Sequence, residues 1–204
     1  MAVHHFLLIL GSYLLGSLPS GYLVSLAAGG VDIRQRGSGN PGAANVYTIL
    51  GPGPGIATLI GDILKGYFPV WIAQHAVPGA ENLALLCGAA AIVGHAWMFF
   101  LSFNGGKAVA TTAGVFLALL PGPMLIALAI FLFSVWFSKH IAVGSMAGAA
   151  AFPFITILAG SPPSVSLLAF FSCALILIRH VSNVGRLREG TEANYDKGSD
   201  LEKS

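Results

Sequence analysis

Four clusters of polar residues stand out in this chain, and three of them have the make-up of anion-binding loops. The first runs from Asp32 to Asn45 and packs seven polar side chains and three glycines into 14 residues. Gly37, Gly39 and Gly42 allow backbone shapes in which N–H groups converge on an anion. Ser38, Asn40 and Asn45 add neutral donors, and Arg34 and Arg36 add charge. The pattern suits a phosphate-binding loop; arginines that only mark a membrane edge are the competing reading. The second cluster is Phe103-Asn104-Gly105-Gly106-Lys107, which opens an apolar run. A helix beginning there would point free N–H groups and the positive end of its dipole at a ligand. Gly105 and Gly106 permit close approach, and Lys107 supplies a cation. The nucleotide-binding spacing Gly-x4-Gly-Lys-Ser/Thr is missing, since Ala108 follows Lys107.

The third cluster spans Arg179 to Arg186. Arg179, Asn183 and Arg186 recur at i, i+4 and i+7 and share a helical face, with His180 beside Asn183. A histidine among cations can be held neutral, as a proton acceptor must be. The fourth is Asp62 with Lys65 inside an apolar run; at i, i+3 they can pair, a structural role. His95 stands alone at ligand spacing and reads as a helix-to-helix hydrogen bond. No metal site and no cofactor are expected. A Gly-x-Ser-x-Gly elbow, a His-x4-Asp pair and a dinucleotide fingerprint are all missing from the sequence.

These clusters need elements to hold them. Of 204 residues, 55% are apolar and 9% charged, against about 25% charged in a soluble domain. Residues 1–31, 82–106, 108–138 and 140–178 contain no Asp, Glu, Lys or Arg. Such a chain is an all-α, polytopic membrane helical bundle. Seven spans are expected, over about 4–28, 55–76, 83–103, 108–120, 124–138, 142–159 and 164–181. The fourth is short, so it could instead form a re-entrant hairpin with the fifth, leaving five. Cleavage of the first span as a signal peptide is not expected, because residues 1–5 lack Lys and Arg. Nine of the ten cations fall in loops on one side, which makes that side cytoplasmic, with the N-terminus out and the C-terminus in. Residues 1–188 read as one transmembrane domain and 189–204 as a polar, poorly ordered cytoplasmic tail. A net charge of +2 does not suit nucleic acid, and Cys87 and Cys173, each in an apolar run, read as packing residues.

A bundle with anion-binding loops at one edge suits a substrate that is phosphorylated and lipid-like. Over residues 6–192 the chain resembles the PlsY family, acyl-phosphate:glycerol-3-phosphate acyltransferases of bacterial membranes. Three motifs carry the resemblance. They are Gly16-Ser17-Leu18-Pro19-Ser20-Gly21 with the Asp32–Asn45 stretch, Gly94-His95 through Phe103–Thr111, and Arg179-His180-x-x-Asn183-x-x-Arg186-Leu187-x-x-Gly190-x-Glu192. The resemblance implies transfer of a fatty acyl group from acyl phosphate to the 1-hydroxyl of glycerol 3-phosphate, giving lysophosphatidate and phosphate. It implies an inner-membrane enzyme working at the cytoplasmic face, among membrane lipid, with functional coupling to an acyl-phosphate-forming enzyme.

On the same basis Ser38, Lys107, His180 and Asn183 are the catalytic candidates. Arg34, Arg36, Gly37, Gly39, Asn40, Asn45, Gly105, Gly106, Arg179 and Arg186 are the substrate-binding candidates. Lys107 and the Gly105-Gly106 amides would hold phosphate, while His180 and Asn183 orient the acceptor. The chain departs from the family at four places. Thr48 stands where the family has an arginine, Ala44 where it has a threonine, Ala108 where it has a glycine, and Val143 at an aligned serine. Two other readings remain open: a transporter or binding protein for a phosphorylated metabolite, and a non-catalytic relative. A transporter would place its polar groups near the midplane, whereas these clusters share one face.

Overall fold

The computed structural model describes residues 2–194, which are helical without strands among the described residues. The helices are α1 (Ala2–Gly16), α2 (Ser20–Gly29), α3 (Ala43–Leu50), α4 (Pro52–Ala76), α5 (Glu81–Ala96), α6 (Val109–Leu119), α7 (Pro121–Ser138), α8 (Ile141–Leu158), α9 (Pro163–Arg179) and α10 (Val181–Arg188). Five segments are long and apolar enough to cross a membrane: Val3–Gly29, Pro52–Ala76, Glu81–Leu101, Pro121–Ser138 and Ile141–Leu158. A sixth is reached only if α9 and α10, bent by 46° at their junction, count as one span. The short fourth span of the sequence reading is α6, whose 11 residues fall below spanning length.

Breakers and helix ends follow the residue chemistry. Proline opens α4, α7 and α9, where its missing N–H would have no partner anyway. The first span is not continuous. Pro19 separates α1 from α2 and leaves backbone groups at the break that a membrane interior must satisfy from within the protein. The Ser17 hydroxyl donates to Tyr13 O at 2.8 Å. Lys65 reaches across from α4 to donate to Leu18 O at 2.7 Å, and it pairs with Asp62 at 2.9 Å, as the i, i+3 spacing implied. The loop read over 29–54 also differs from expectation, because it holds a 3-10 turn (Ile33–Gln35) and all of α3.

Helices in lipid gain little from hydrophobicity alone and associate by close packing at small residues. At the α1–α5 crossing Gly16 rests on the Ala91 backbone and Gly94 on Tyr13 O. At the α4–α6 crossing Gly66 rests on Thr111 O and Gly114 on Ile63 O. The second crossing matters most for the site, because it ties the short α6 to the longest helix. Behind it Phe116 meets Phe152 of α8 edge-on, with ring centroids 4.5 Å apart. By contrast, α7 turns Phe133, Trp136 and Phe137 outward, as a lipid-facing helix does.

Gly114→Val must push the Ile63 carbonyl away, so it should lower stability by about 1–3 kcal/mol. Thermal unfolding of the purified membrane protein reads this as a lower Tm. Gly122→Val is the control, since open space surrounds Gly122. Equal melting of the two variants would contradict the crossing.

Candidate active site

The Asp32–Asn45 loop is built around one amide. Asn45 is buried at the first turn of α3 and faces back into the loop. Its Nδ2 donates to Ile33 O at 3.2 Å, Arg36 O at 3.0 Å and Asn40 O at 3.0 Å, while its Oδ1 accepts from Ser38 N at 3.0 Å. The side chain thus shapes the loop, although Asn45 also borders the apolar cavity described below. Gly37 and Gly39 take φ of 55° and 69°, the left-handed turns that wrap the loop around that amide. Asn40 Oδ1 accepts from Gly42 N at 3.0 Å, which orients the Asn40 side chain.

The arginines of this loop behave differently from the expectation. Asp32 takes Arg34 Nε and Nη2 at 2.9 and 2.7 Å, and these bonds hold its carboxyl down at about 2. Arg34, its guanidinium 4.7 Å from the Tyr22 ring centre, lines a cavity but brings its counter-ion along. Arg36 contributes its backbone carbonyl to Asn45 while its side chain is exposed and lines neither cavity described below. It is therefore not among the residues brought to the site.

The Gly105-Gly106-Lys107 stretch lies against the end of α5, where Gly106 N donates to His95 O at 3.0 Å. Ala108 then takes φ of 62° to turn the chain into α6. Left-handed backbone favours glycine, which gives a physical reason for glycine at this position in the family that the chain resembles. Lys107 crosses to α10, where its Nζ donates to Asn183 Oδ1. Burial presses its ammonium down to about 8; Glu192 works against that shift and Arg186 adds to it.

Asn183 and Arg186 are themselves held by Glu192. Its two oxygens accept from Asn183 Nδ2 at 2.6 Å and Arg186 Nε at 2.7 Å. Glu192 closes the third motif of the resemblance, although it was not among the candidate site residues. Residues 189–194, the start of the expected tail, turn back onto α10, with Thr191 N and Glu192 N both donating to Arg186 O. The remainder of the expected tail lies outside the described residues. His180 is buried at the α9–α10 bend, and Ile176 O lies 2.7 Å from its Nδ1. A carbonyl can only accept, so Nδ1 carries the hydrogen and Nε2 is left for other chemistry. Arg179 donates to Ala96 O and lies 5.0 Å from the Trp97 ring centre, tying α9 to the end of α5.

Two cavities meet here. One, of about 620 Å³, runs between α3, α4, α6, α7, α8 and α9 and is walled by side chains such as Leu59, Ile63, Met124, Phe131, Phe152 and Ile176. His180, Asn183, Gly37 and Asn45 line its polar end. The other, of about 520 Å³, is walled by Arg34, Gly39, Gly105, Arg179 and their polar neighbours. Ser38, Asn40, Lys107 and Arg186 line both. Thr48 lines the apolar cavity with its hydroxyl bonded to Ala44 O at 2.9 Å, so no cation occupies the position of the family's arginine. Gly106 lines neither cavity.

An apolar channel joined to a cationic pocket suits a protein that handles a phosphorylated amphiphile. A sequence model described as Glycerol-3-phosphate acyltransferase matches residues 6–190, and the chain belongs to that family. A glycerol-3-phosphate acyltransferase of Geotalea daltonii is 46% identical over 91% of this chain and 94% of its own. Its namesake in Endomicrobium trichonymphae is 44% identical over 91% and 93%. Crystal structures of PlsY, an integral membrane glycerol 3-phosphate acyltransferase, align at 32% identity. The glycerol 3-phosphate form gives a TM-score of 0.88 over 97% of this chain and 98% of that one. The lysophosphatidic acid form gives 0.86 over 94% and 95%.

With Lys107 near 8, kcat/KM for the phosphorylated acceptor should fall as pH rises through about 8, where the amino group loses its charge. Bound phosphate favours the charged form, so the fall in kcat comes at higher pH. Glu192→Gln removes the group that supports the charge and should move the kcat/KM limb to lower pH. Lys107→Arg, if active, should abolish that limb. A pH–rate profile of the three proteins checks each shift and its sign.

Proposed function

We propose that this chain transfers a fatty acyl group from an acyl phosphate to the 1-hydroxyl of glycerol 3-phosphate, giving lysophosphatidate and inorganic phosphate. The observation that carries this reading is the position of Lys107 on the seam of the two cavities. Arg34 and Arg186 each carry a carboxylate partner, whereas the Lys107 ammonium meets the neutral amide of Asn183. Its charge is thus available to an incoming phosphate. The apolar cavity receives the acyl chain and the cationic pocket receives glycerol 3-phosphate, so the acyl carbonyl and the acceptor hydroxyl meet between them.

The acceptor oxygen attacks the acyl carbon, and the bond from that carbon to the phosphate oxygen breaks. The hydroxyl proton passes to the departing phosphate, which leaves as inorganic phosphate. Lys107 and Arg186 offset the repulsion between the two phosphates and stabilise the developing oxyanion. Ser38 and Asn40 donate hydrogen bonds at the seam, while Gly39, Gly105 and Arg179 wall the acceptor pocket. His180 and Asn183 orient the acceptor, with His180 Nε2 facing the reaction as a hydrogen-bond partner. No protein nucleophile and no cofactor enters the reaction.

The same reading assigns seven crossings, counting α1 with α2 as one and α6 as a short span. Nine cations gathered on the side of the loops support an outside N-terminus and a site at the cytoplasmic face of a bacterial inner membrane. The transmembrane unit extends through Glu192, and an acyl-phosphate-forming enzyme is the functional partner that supplies the donor.

The test is phosphate release from palmitoyl phosphate by the purified protein in bilayers or mesophase, with and without glycerol 3-phosphate. Release should require the acceptor and should drop at least about 100-fold in Lys107→Ala, the scale of losing a charged transition-state contact. Release indifferent to acceptor and lysine would contradict the reading.

A further inference from the structure

The reaction does not use the four polar side chains buried behind the phosphate loop, although polar groups inside a membrane protein are expensive and usually have work to do. They form a chain. Lys65 anchors it on Leu18 O at the α1–α2 break and pairs with Asp62. Asp62 Oδ1 lies 3.7 Å from His95 Nδ1, and that same nitrogen is hydrogen-bonded to Thr111 Oγ1 at 3.0 Å. The chain therefore crosses from α2's entry through α4 and α5 to α6.

Its far end is the Gly105-Gly106-Lys107 loop. Gly106 N bonds to His95 O, and the His95 ring lies against the Gly106 α-carbon, where a Cβ would collide with Nε2. Gly105 rests on the carbonyls of His95 and Ala96. The ring is thus a floor under the loop; the Thr111 hydrogen bond sets the angle of that floor, and the Asp62–Lys65 pair packs alongside it. We propose that His95 is a positioning residue for phosphate binding, held in register by Thr111 and the Asp62–Lys65 pair. Resting on the acceptor reading above, it fixes where Gly105 and Lys107 meet the acceptor's phosphate, the Gly106 amide being spent on His95 O.

Thr111 gives the clean test because it is fully buried and lines neither cavity, whereas His95 and Asp62 border the apolar one. Any effect of Thr111 on the acceptor must pass through its neighbours. Thr111→Val keeps the shape and deletes the hydroxyl; Thr111→Ser keeps the hydroxyl.

Expected for Thr111→Val is a KM for glycerol 3-phosphate raised about five- to tenfold, the scale of one lost buried hydrogen bond. The KM for palmitoyl phosphate and kcat should stay within about twofold, and Thr111→Ser should restore the acceptor KM. Direct binding of glycerol 3-phosphate, measured by calorimetry without turnover, should weaken by the same factor. That arm reads the loop even if the acyl-transfer reading fails. A Thr111→Val protein with lower kcat and Tm but an unchanged acceptor KM would reduce the network to fold support and overturn the proposal. So would a serine variant as impaired as valine, or a rise confined to the donor KM.

Discussion

The hydrogen bond from Lys107 to Asn183 joins segments 76 residues apart, and the organisation of the site depends on it. An ammonium brought to the edge of a membrane needs partners, yet a carboxylate placed directly on it would cancel the charge the site needs. The amide resolves that conflict by accepting a hydrogen bond without neutralising the cation. Glu192 then stands one step back, orienting the amide and pairing with Arg186 while lending Lys107 some long-range support. The charge is held in place and remains chemically usable. Asp32 and Arg34 show the contrasting solution, in which a tight exposed pair settles a loop and neutralises its own cation.

The two-cavity layout follows from the same constraint. The proposed donor, an acyl phosphate, and the glycerol 3-phosphate acceptor have unlike bodies and like phosphate heads. Separate chambers suit their unlike bodies, and a shared cationic wall suits their like heads. Ser38, Asn40, Lys107 and Arg186 come from three distant parts of the chain, and each part is pinned by a different device. Asn45 shapes the first loop from inside, the end of α5 supports the second, and the returning turn after α10 fixes the third.

Much of this was legible in the residues. Long charge-free stretches announced the helices, and three of the polar clusters that interrupt them are the stretches gathered around the two cavities. What stayed hidden was hidden for physical reasons. Pro19 lies within an apolar stretch, so hydropathy carries through the α1–α2 break without registering it. Thr48-Ile49-Leu50 and its neighbours make α3 too short to separate from a loop by periodicity. Asn45 has the composition of a ligand, and only tertiary geometry shows that its hydrogen-bonding capacity is used on its own loop. Arg36 carries charge in the right stretch but is exposed and lines neither cavity. Glu192 closes the third motif of the resemblance, but it sits among tail-like residues, and nothing local reveals that the chain turns back. The left-handed backbone at Ala108 was foreshadowed, because the resemblance marked a glycine at that position.

The glycine crossing between α4 and α6 has a consequence for how the protein fails. Lys107 stands at the entrance to a helix of 11 residues, too short to hold itself in a bilayer, yet that helix lies backbone against backbone on α4 through Gly66 and Gly114. Local fraying cannot release the lysine while those carbonyl contacts remain. Opening the site therefore requires parting two central helices, which is close to unfolding the whole bundle. Amide hydrogens in the first turns of α6 would then exchange only at the rate of global opening, and the site and the fold would be lost in a single cooperative event.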